Sequence, residues 1–321
     1  MQTIAVPHSD LRLSRVGLGC WTLGREYWGD DHDDERAVRT VHAALDAGIN
    51  WVDTAPLYGR GHADHIVRRA LEGRDAMVAT KVGVQVDGTR SGHAESLLTE
   101  SHVRQDTEAS LKRLGRDCID LLQVHWPCQH GTALDETIAA LEDLKAQGKL
   151  RAWGLCNYNA PGLALARGIR PVSTLQTPLS LLRREFEGEL AQETSRLDAH
   201  GSSVAVLAYE TLVRGLLTGR YRRLPRFADS DQRSRDPRFA GRRFAHARAL
   251  NDDLSRISHK VGVPLPTLAV GWVLSRPSVG CAVVGARTPK QIQQTAAAAA
   301  LSHRRKLWAV VDKLAALHGG L

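Results

Sequence analysis

Several features that would place the chain in a specialised class are absent from its 321 residues. No run approaches the roughly 20 apolar residues that a membrane-spanning helix needs, and the opening MQTIAVPHSDLRLSR lacks the apolar segment of a secretory signal. The five cysteines are an odd number without paired CxxC spacing, which argues against a disulfide framework and a zinc site. The sequence therefore predicts a cytoplasmic globular protein with reduced thiols and no membrane partner.

Aromatic side chains are also scarce, at 5 % of the residues. Their scarcity helps to decide which partner the net charge of +8 suits. Between Arg220 and Arg243 nine arginines meet only three acids. Such a segment suits a phosphorylated ligand, a nucleic acid or a solvated surface loop. Few aromatics are interleaved with these arginines for base stacking, so we expect no nucleic-acid partner.

The most regular feature of the sequence is a set of eight short apolar runs rich in Val, Ile and Leu. Their length and composition are typical of strands buried on both faces of a parallel sheet, and helical spacing follows many of them. The runs are residues 15–20, 49–54, 76–82, 118–126, 151–157, 172–177, 203–209 and 279–285. Repeated strand–helix units predict an α/β protein with a (β/α)8 TIM barrel.

The competing architecture is an open doubly wound sheet, which needs a glycine-rich phosphate turn after its first strand. GLGCWTLG at 17–24 does not have GxGxxG spacing, and no helical pattern follows until about Asp34. The chain shows no clear linker, so we predict a single domain over residues 1–321. Its longest irregular stretch, 220–243, follows the seventh run, where a barrel carries a loop at its ligand face.

Four polar residues stand at the ends of consecutive predicted strands: Asp53, Tyr58, Lys81 and His125. Taken singly, they have structural explanations. Asp53 could cap a turn, Lys81 could reach solvent from a strand end, and His125 could be a hydrogen-bonded histidine of the core. In a TIM barrel, however, active sites lie at the carboxyl ends of the strands. All four side chains would then face one mouth, which favours a shared chemical role.

The motifs around these residues resemble those of the aldo-keto reductase family. They are RVGLGCWTLG, DAGINWVDTAPLYGRG, ATKVG, DLLQVHWP, GLCNYN, STLQTPLSLL, LLTGRY and GARTPKQIQQT, in an order that covers nearly the whole chain. The resemblance implies a barrel that binds a nicotinamide cofactor without a Rossmann fold and reduces aldehydes or ketones. It also implies that Asp53, Tyr58, Lys81 and His125 form a catalytic tetrad.

Elementary chemistry supports these roles. Hydride addition to a carbonyl places negative charge on oxygen, so the site needs a proton donor and aimed dipoles. Tyr58 would be the acid in reduction and the base in oxidation, and Lys81 is expected to lower its pKa from the ordinary value of about 10. Asp53 would hold Lys81 and offset the cost of burying its charge. His125 would orient the substrate carbonyl.

The resemblance also assigns a cofactor site. Asn157 and Gln176 would hold the carboxamide and Tyr209 would stack on the nicotinamide, while Cys156 replaces a usual serine and Glu210 replaces a usual small residue. Further contacts are implied for Trp21, Leu212, Gly215, Leu216, Gly285, Arg287, Gln291 and Thr295.

Arg287 favours NADPH over NADH, because a guanidinium can pair with the 2′-phosphate that only NADPH carries. The arginine-rich segment would close over the diphosphate as a clasp. We expect Trp28 and Trp126 to border the pocket of a small carbonyl substrate. The histidines and acids of DDHDDE and GHADH are typical of helix N-termini, where acids are favourable near the positive end of the helix dipole, so no metal is expected.

Two other functions remain compatible with the sequence. The chain could be a noncatalytic NADP(H)-binding redox sensor or regulatory subunit. It could also be a lyase or dehydratase that uses Tyr58 and Lys81 for proton transfer.

Overall fold

Eight parallel strands close into a barrel in the computed structural model, which describes residues 1–86 and 94–318. The strands are β1 (Thr3–Ala5), β2 (Arg12–Ser14), β3 (Val16–Gly19), β4 (Trp51–Asp53), β5 (Met77–Val82), β6 (Val84–Val86), β7 (Ala94–Ser96), β8 (Ile119–Val124), β9 (Leu150–Cys156), β10 (Thr174–Pro178), β11 (Ala205–Tyr209) and β12 (Val279–Gly285). The barrel order is β3-β4-β5-β8-β9-β10-β11-β12, and β12 pairs with β3 to close it. The predicted barrel is confirmed, and each of the eight apolar runs contributes one of its strands.

Helices follow the barrel strands and cover the outside of the sheet. They are α1 (Asp34–Asp46), α2 (His62–Ala70), α3 (Glu100–Leu114), α4 (Leu134–Ala146), α5 (Ala160–Ile169), α6 (Glu189–Ser195), α7 (Gly241–Val261), α8 (Leu265–Leu274), α9 (Pro289–Ala296) and α10 (Arg305–His318). The last one lies against α7, where His318 Nε2 contacts Asp253 Oδ2 at 2.6 Å. The alanine run before α10 forms a short 3-10 helix over Ala297–Leu301 rather than extending α9.

The amino-terminal end of the barrel is filled by the hairpin of β1 and β2. Leu11 and Leu13 are buried there in one apolar cluster with Trp51, at the start of β4. The Trp51 indole Nε1 donates a hydrogen bond to the carbonyl oxygen of Ser14 at 3.0 Å. Since this end is plugged by side chains, the carboxyl ends of the strands are left to form a binding site.

The long loop after the seventh barrel strand is present, and it is more ordered than an irregular stretch would be. Its turns include 3-10 helices over Val213–Thr218, Gln232–Arg235 and Pro237–Phe239, and α7 begins at Gly241. Tyr221, Phe227 and Phe239 pack edge to face within it, with ring centroids 5.1 to 5.9 Å apart. These aromatics form a small core of the loop itself.

None of the described helices is both long and apolar enough to cross a membrane.

Candidate active site

Asp53, Tyr58 and Lys81 meet at the carboxyl end of the barrel. Asp53 is the last residue of β4, Lys81 lies in β5 beside it, and Tyr58 is in the turn that follows β4. The Lys81 ammonium donates to Asp53 Oδ2 at 2.8 Å and to the carbonyl oxygen of Thr54 at 3.0 Å. It lies 3.1 Å from the Tyr58 hydroxyl oxygen. One cation therefore joins a carboxylate to a phenol, as the strand-end pattern predicted.

The Asp53 carboxylate is held on its second oxygen as well. Gln176 Nε2 donates to Asp53 Oδ1 at 2.8 Å, and Gln123 Nε2 donates to the same oxygen at 3.4 Å. Both charges are buried, with 0 % of the Lys81 side chain and 3 % of the Asp53 side chain exposed. A buried ion pair is tolerated when its remaining hydrogen-bonding positions are filled, and this network fills them.

His125 follows β8 directly and completes the group. Its ring lies 6.2 Å from the Tyr58 ring, centroid to centroid, in an edge-to-face arrangement. Burial and the charge of Lys81 hold the pKa of His125 well below its ordinary value, so the imidazole is neutral near pH 7. A neutral imidazole can still donate one N–H hydrogen bond toward a substrate oxygen.

The pKa of Tyr58 corrects one expectation. Lys81 does act to lower it, but burial is the larger effect and Asp53 adds to it, so the pKa of Tyr58 is raised above the ordinary value of a phenol. For Lys81, burial favours the neutral amine, yet the negative charge of Asp53 outweighs it and raises the ammonium pKa. Near neutral pH the site therefore holds a protonated phenol and a charged lysine.

The turn that carries Tyr58 depends on a close backbone approach at the next residue. Gly59 has φ of +61°, and a Cβ placed on it would lie 1.7 Å from the carbonyl oxygen of Gly24. A side chain at this position would push apart the turns after β3 and β4. On the other side, the Thr54 hydroxyl donates to Asp64 Oδ1 at 2.7 Å, which fixes the end of β4.

A cavity of about 760 Å³, the central cavity, opens above these residues. Its lining includes Asp53, Tyr58 and His125, whereas Lys81 lies beneath its floor. The lining also includes the predicted positions Trp21, Trp28, Trp126, Asn157, Gln176, Tyr209, Leu212, Gly215, Gly285, Arg287, Gln291 and Thr295. Leu216 is the exception, since its side chain is fully buried behind the wall and its carbonyl oxygen accepts a hydrogen bond from Asn251 Nδ2.

The predicted carboxamide-binding end forms a connected network. Tyr209 donates its hydroxyl to Asn157 Oδ1 at 2.7 Å, and Asn157 Nδ2 donates to the carbonyl oxygen of His125 at 3.0 Å. The Cys156 thiol points at Gln176 Oε1 at 3.6 Å, a long and weak contact. The amide oxygens of Asn157 and Gln176 each keep acceptor capacity at the cavity wall, which suits a carboxamide N–H.

Glu210 lines the central cavity, and its carboxylate is paired with arginines. Its carboxylate contacts Arg183 at 2.9 Å, Arg238 at 2.8 Å and Arg214 at 3.3 Å. Burial opposes its ionisation, but the hydrogen bond and charge of Arg238, with help from Arg214 and Arg183, lower the pKa of Glu210. The acid therefore neutralises part of a basic cluster instead of facing a diphosphate uncompensated.

Arg287 marks the opposite end of the central cavity. Its Nη2 donates to the backbone carbonyl oxygen of Asp31 at 2.6 Å and to Asp31 Oδ2 at 3.0 Å. The backbone N–H of Arg287 donates to Gln291 Oε1 at 2.8 Å, which fixes the start of the turn into α9. A guanidinium beside an acid is a site where a phosphate and a carboxylate would compete for the same donors.

The arginine-rich loop reaches across the barrel to the loop after β3. The Gln232 backbone N–H donates to the carbonyl oxygen of Tyr27 at 3.0 Å, and Ser230 Oγ donates to Asp30 Oδ1 at 3.0 Å. Arg233 lies over the Trp28 ring at 5.1 Å from its centroid. The two loops thus meet above the central cavity, as a clasp would require.

Sequence reasoning did not single out four polar residues at this site: Gln123, Arg183, Gln232 and Arg233. Gln123 lies inside an apolar strand two residues before His125, and a buried amide in such a run was a usable signal. Arg183 also had a signal, because it follows the sixth strand closely. The other two belong to the arginine-rich loop, which the sequence placed at the ligand face without indicating which of its side chains reach the cavity.

The segments that could have suggested a metal form ordinary polar contacts. Asp33 caps α1 by accepting from the Arg36 backbone N–H, and His62 Nε2 lies 3.0 Å from Asp34 Oδ1. Over residues 1–86 and 94–318 we find no group of three or more metal-ligating side chains.

A closed barrel with this lysine-linked phenol and a long cavity at the carboxyl ends of its strands is the architecture of a nicotinamide-dependent oxidoreductase. Residues 15–316 match the model of the aldo/keto reductase family, and the chain belongs to that family. Its members act on small-molecule carbonyl compounds with a nicotinamide cofactor.

Two curated relatives illustrate the similarity. The aldo-keto reductase YhdN of Bacillus subtilis (strain 168) is 34 % identical over 299 residues, covering 91 % of this chain and 87 % of the relative. The NADH-specific methylglyoxal reductase of Escherichia coli (strain K12) is 29 % identical over 313 residues, covering 93 % of each. The shared family is clear, although the second relative is named for NADH.

Solved structures show the same fold at full length. The glycerol dehydrogenase AKR11B4 from Gluconobacter oxydans is 38 % identical with a TM-score of 0.87, covering 98 % of this chain and 95 % of that one. The holo form of aldo-keto reductase AKR11C1 from Bacillus halodurans is 28 % identical with a TM-score of 0.78, covering 98 % and 96 %.

Proposed function

We propose that the protein is an NADPH-dependent reductase of small polar aldehydes or ketones, with Asp53, Tyr58, Lys81 and His125 as its catalytic group. The observation that carries this proposal is the Lys81 ammonium, which lies within hydrogen-bonding distance of Asp53 and Tyr58 beneath the central cavity. A redox sensor has less use for a buried cation that contacts a phenol, whereas a lyase would use the same pair for proton transfer and differs in leaving the cofactor unchanged.

Each residue has a distinct task in this proposal. Tyr58 is held protonated at neutral pH and donates its proton to the developing alkoxide, while Lys81 stabilises the phenolate that remains. Asp53 keeps Lys81 charged and in place, and His125 donates a hydrogen bond that orients the carbonyl. Bound nicotinamide supplies the hydride.

The residues of the central cavity fit such a cofactor. Asn157 and Gln176 offer amide oxygens at one end, and Arg287 offers a guanidinium at the other. Gly215, with φ of +91°, gives the turn a backbone conformation that favours glycine. Arg287 supports NADPH as the cofactor. Its guanidinium now contacts Asp31, and the 2′-phosphate of NADPH would take the place of that carboxylate.

The proposal is tested by fluorescence titration with NADPH and NADH, followed by an absorbance assay of cofactor oxidation. The substrate panel includes methylglyoxal, for which one relative is named, and glyceraldehyde and dihydroxyacetone, the carbonyl counterparts of glycerol. Cofactor binding without turnover of any carbonyl or alcohol would favour the sensor. Water elimination without net change in the cofactor would favour the lyase.

Removing the Arg287 side chain tests the cofactor preference. We expect Arg287→Ala to weaken NADPH by about 10- to 100-fold, because hydrogen bonds to a charged partner contribute roughly 1.5–3 kcal/mol. NADH affinity should change by only about twofold, since it presents no phosphate to this guanidinium. Both dissociation constants come from the fluorescence titration, and equal losses would count against a phosphate contact.

Asp31→Asn is the matched control for this effect. It removes the negative charge that competes for Arg287 but leaves the guanidinium in place. We expect NADPH to bind several-fold more tightly and NADH to be nearly unchanged. Weaker NADPH binding in this variant would mean that Asp31 contacts the cofactor itself.

The rate of carbonyl reduction should depend little on pH between about 6 and 9. This range includes the ordinary pKa of histidine, about 6.5, and ends below that of tyrosine, about 10. Tyr58, with its raised pKa, stays protonated through this range, and His125, with its lowered pKa, stays neutral. Alcohol oxidation should instead accelerate as pH rises, since it needs the phenolate as base. Rate profiles in both directions check this, and a reduction rate that titrates with a pKa of about 6.5 would contradict the state assigned to His125.

A further inference from the structure

A second cavity of about 460 Å³, the outer cavity, lies beside the central one. It is more open than the central cavity, and the segments after β10 and β11 form its walls. Its lining residues are Leu182, Arg183, Glu185, Val213, Arg214, Gln232, Arg235, Asp236, Pro237, Arg238 and Arg243. The arginine-rich loop therefore borders two cavities, and the outer one is not the proposed cofactor site.

The outer cavity carries a surplus of positive charge. Five of its lining residues are arginines and two are acids. Arg214 and Arg238 are paired with Asp236 at 3.3 and 2.7 Å. By contrast, no carboxylate of the described residues comes within 4.0 Å of the guanidinium of Arg235 or Arg243. These two cations have no evident structural task, and neither lines the central cavity.

The start of α7 adds to the positive charge of the outer cavity. Arg243 also stands in the first turn of α7, where no acid and no capping side chain offsets the positive end of the helix.

We propose that the outer cavity binds a small molecule bearing a phosphate group, at a site separate from that of the cofactor. Guanidinium groups match phosphate oxygens with two parallel hydrogen bonds, and here Arg235 and Arg243 are available for that contact. Leu182, Val213 and Pro237 provide an apolar border for the rest of the ligand. The volume lies within the range of small-molecule sites.

Titration calorimetry with inorganic pyrophosphate tests this site on the full chain saturated with NADPH, at fixed ionic strength. Saturation with NADPH keeps the probe out of the proposed cofactor site. We expect one pyrophosphate per chain, and Arg235→Gln/Arg243→Gln should weaken its binding by about tenfold or more, because two charged hydrogen-bond donors are lost. The affinity for NADPH should remain within about twofold, because neither residue borders the central cavity.

Arg222→Gln/Arg223→Gln is the matched control, because it removes the same charge from the same loop at two exposed residues that line neither cavity. It should retain the pyrophosphate affinity of the unmodified protein. Equal losses in the two double variants would reduce the effect to general electrostatic attraction and overturn the site, as would a lack of pyrophosphate binding. Tighter binding of citrate than of pyrophosphate would overturn the preference for phosphate.

Discussion

Replacing Tyr58 by phenylalanine is expected to lower kcat for carbonyl reduction by about 10²- to 10⁴-fold, the usual contribution of a positioned general acid. The change removes one hydroxyl that lies 3.1 Å from the Lys81 ammonium and leaves the ring in place. Cofactor affinity should stay within about twofold, because the ring keeps its packing. Steady-state kinetics and fluorescence titration of the same preparation measure the two effects separately.

Tyr27→Phe provides the control for this experiment. Tyr27 lines the same central cavity, and burial raises the pKa of its phenol too, although its hydroxyl makes no contact with Lys81. We expect this variant to keep most of its activity. Undiminished turnover by Tyr58→Phe would remove Tyr58 from the role of proton donor, whatever the control shows.

The fold was accessible from the sequence because barrel strands are buried on both faces and therefore appear as short apolar runs. Helices were less uniformly visible. Nine of the ten residues of α8 are buried, so it shows no polar face for a periodic pattern to reveal. Pro and Gly near the start of α5 likewise obscure that helix in the sequence, although Asn159 caps its first turn.

The grouping of Asp53, Tyr58, Lys81 and His125 at one end of the barrel was predictable for a related reason. Parallel strands end at the same rim, so polar residues at consecutive strand ends must lie near one another. Local sequence patterns do not predict ion pairs between residues far apart in the chain, such as Arg287 with Asp31 and Glu210 with Arg183. The direction of the Tyr58 pKa was likewise out of reach, because burial, a property of the whole fold, outweighs the nearby lysine.

Lys81→Met has the second large expected effect, and it acts on both stability and catalysis. The variant leaves the Asp53 carboxylate buried without its cation, and breaking a buried pair in this way costs about 3–5 kcal/mol of the free energy of unfolding. We also expect kcat to fall by about 10²-fold or more, because the phenolate formed from Tyr58 loses its stabilising charge. Denaturant unfolding and steady-state kinetics measure these two losses.

The double variant Asp53→Asn/Lys81→Met separates the two losses. A neutral amide in place of the carboxylate removes the stranded charge, so unfolding free energy should recover by roughly 2 kcal/mol or more relative to Lys81→Met alone. Activity should not recover, because no cation then faces the Tyr58 hydroxyl. If activity returned together with stability, Lys81 would serve only to balance Asp53, and proton transfer would have to be assigned to other groups of the cavity.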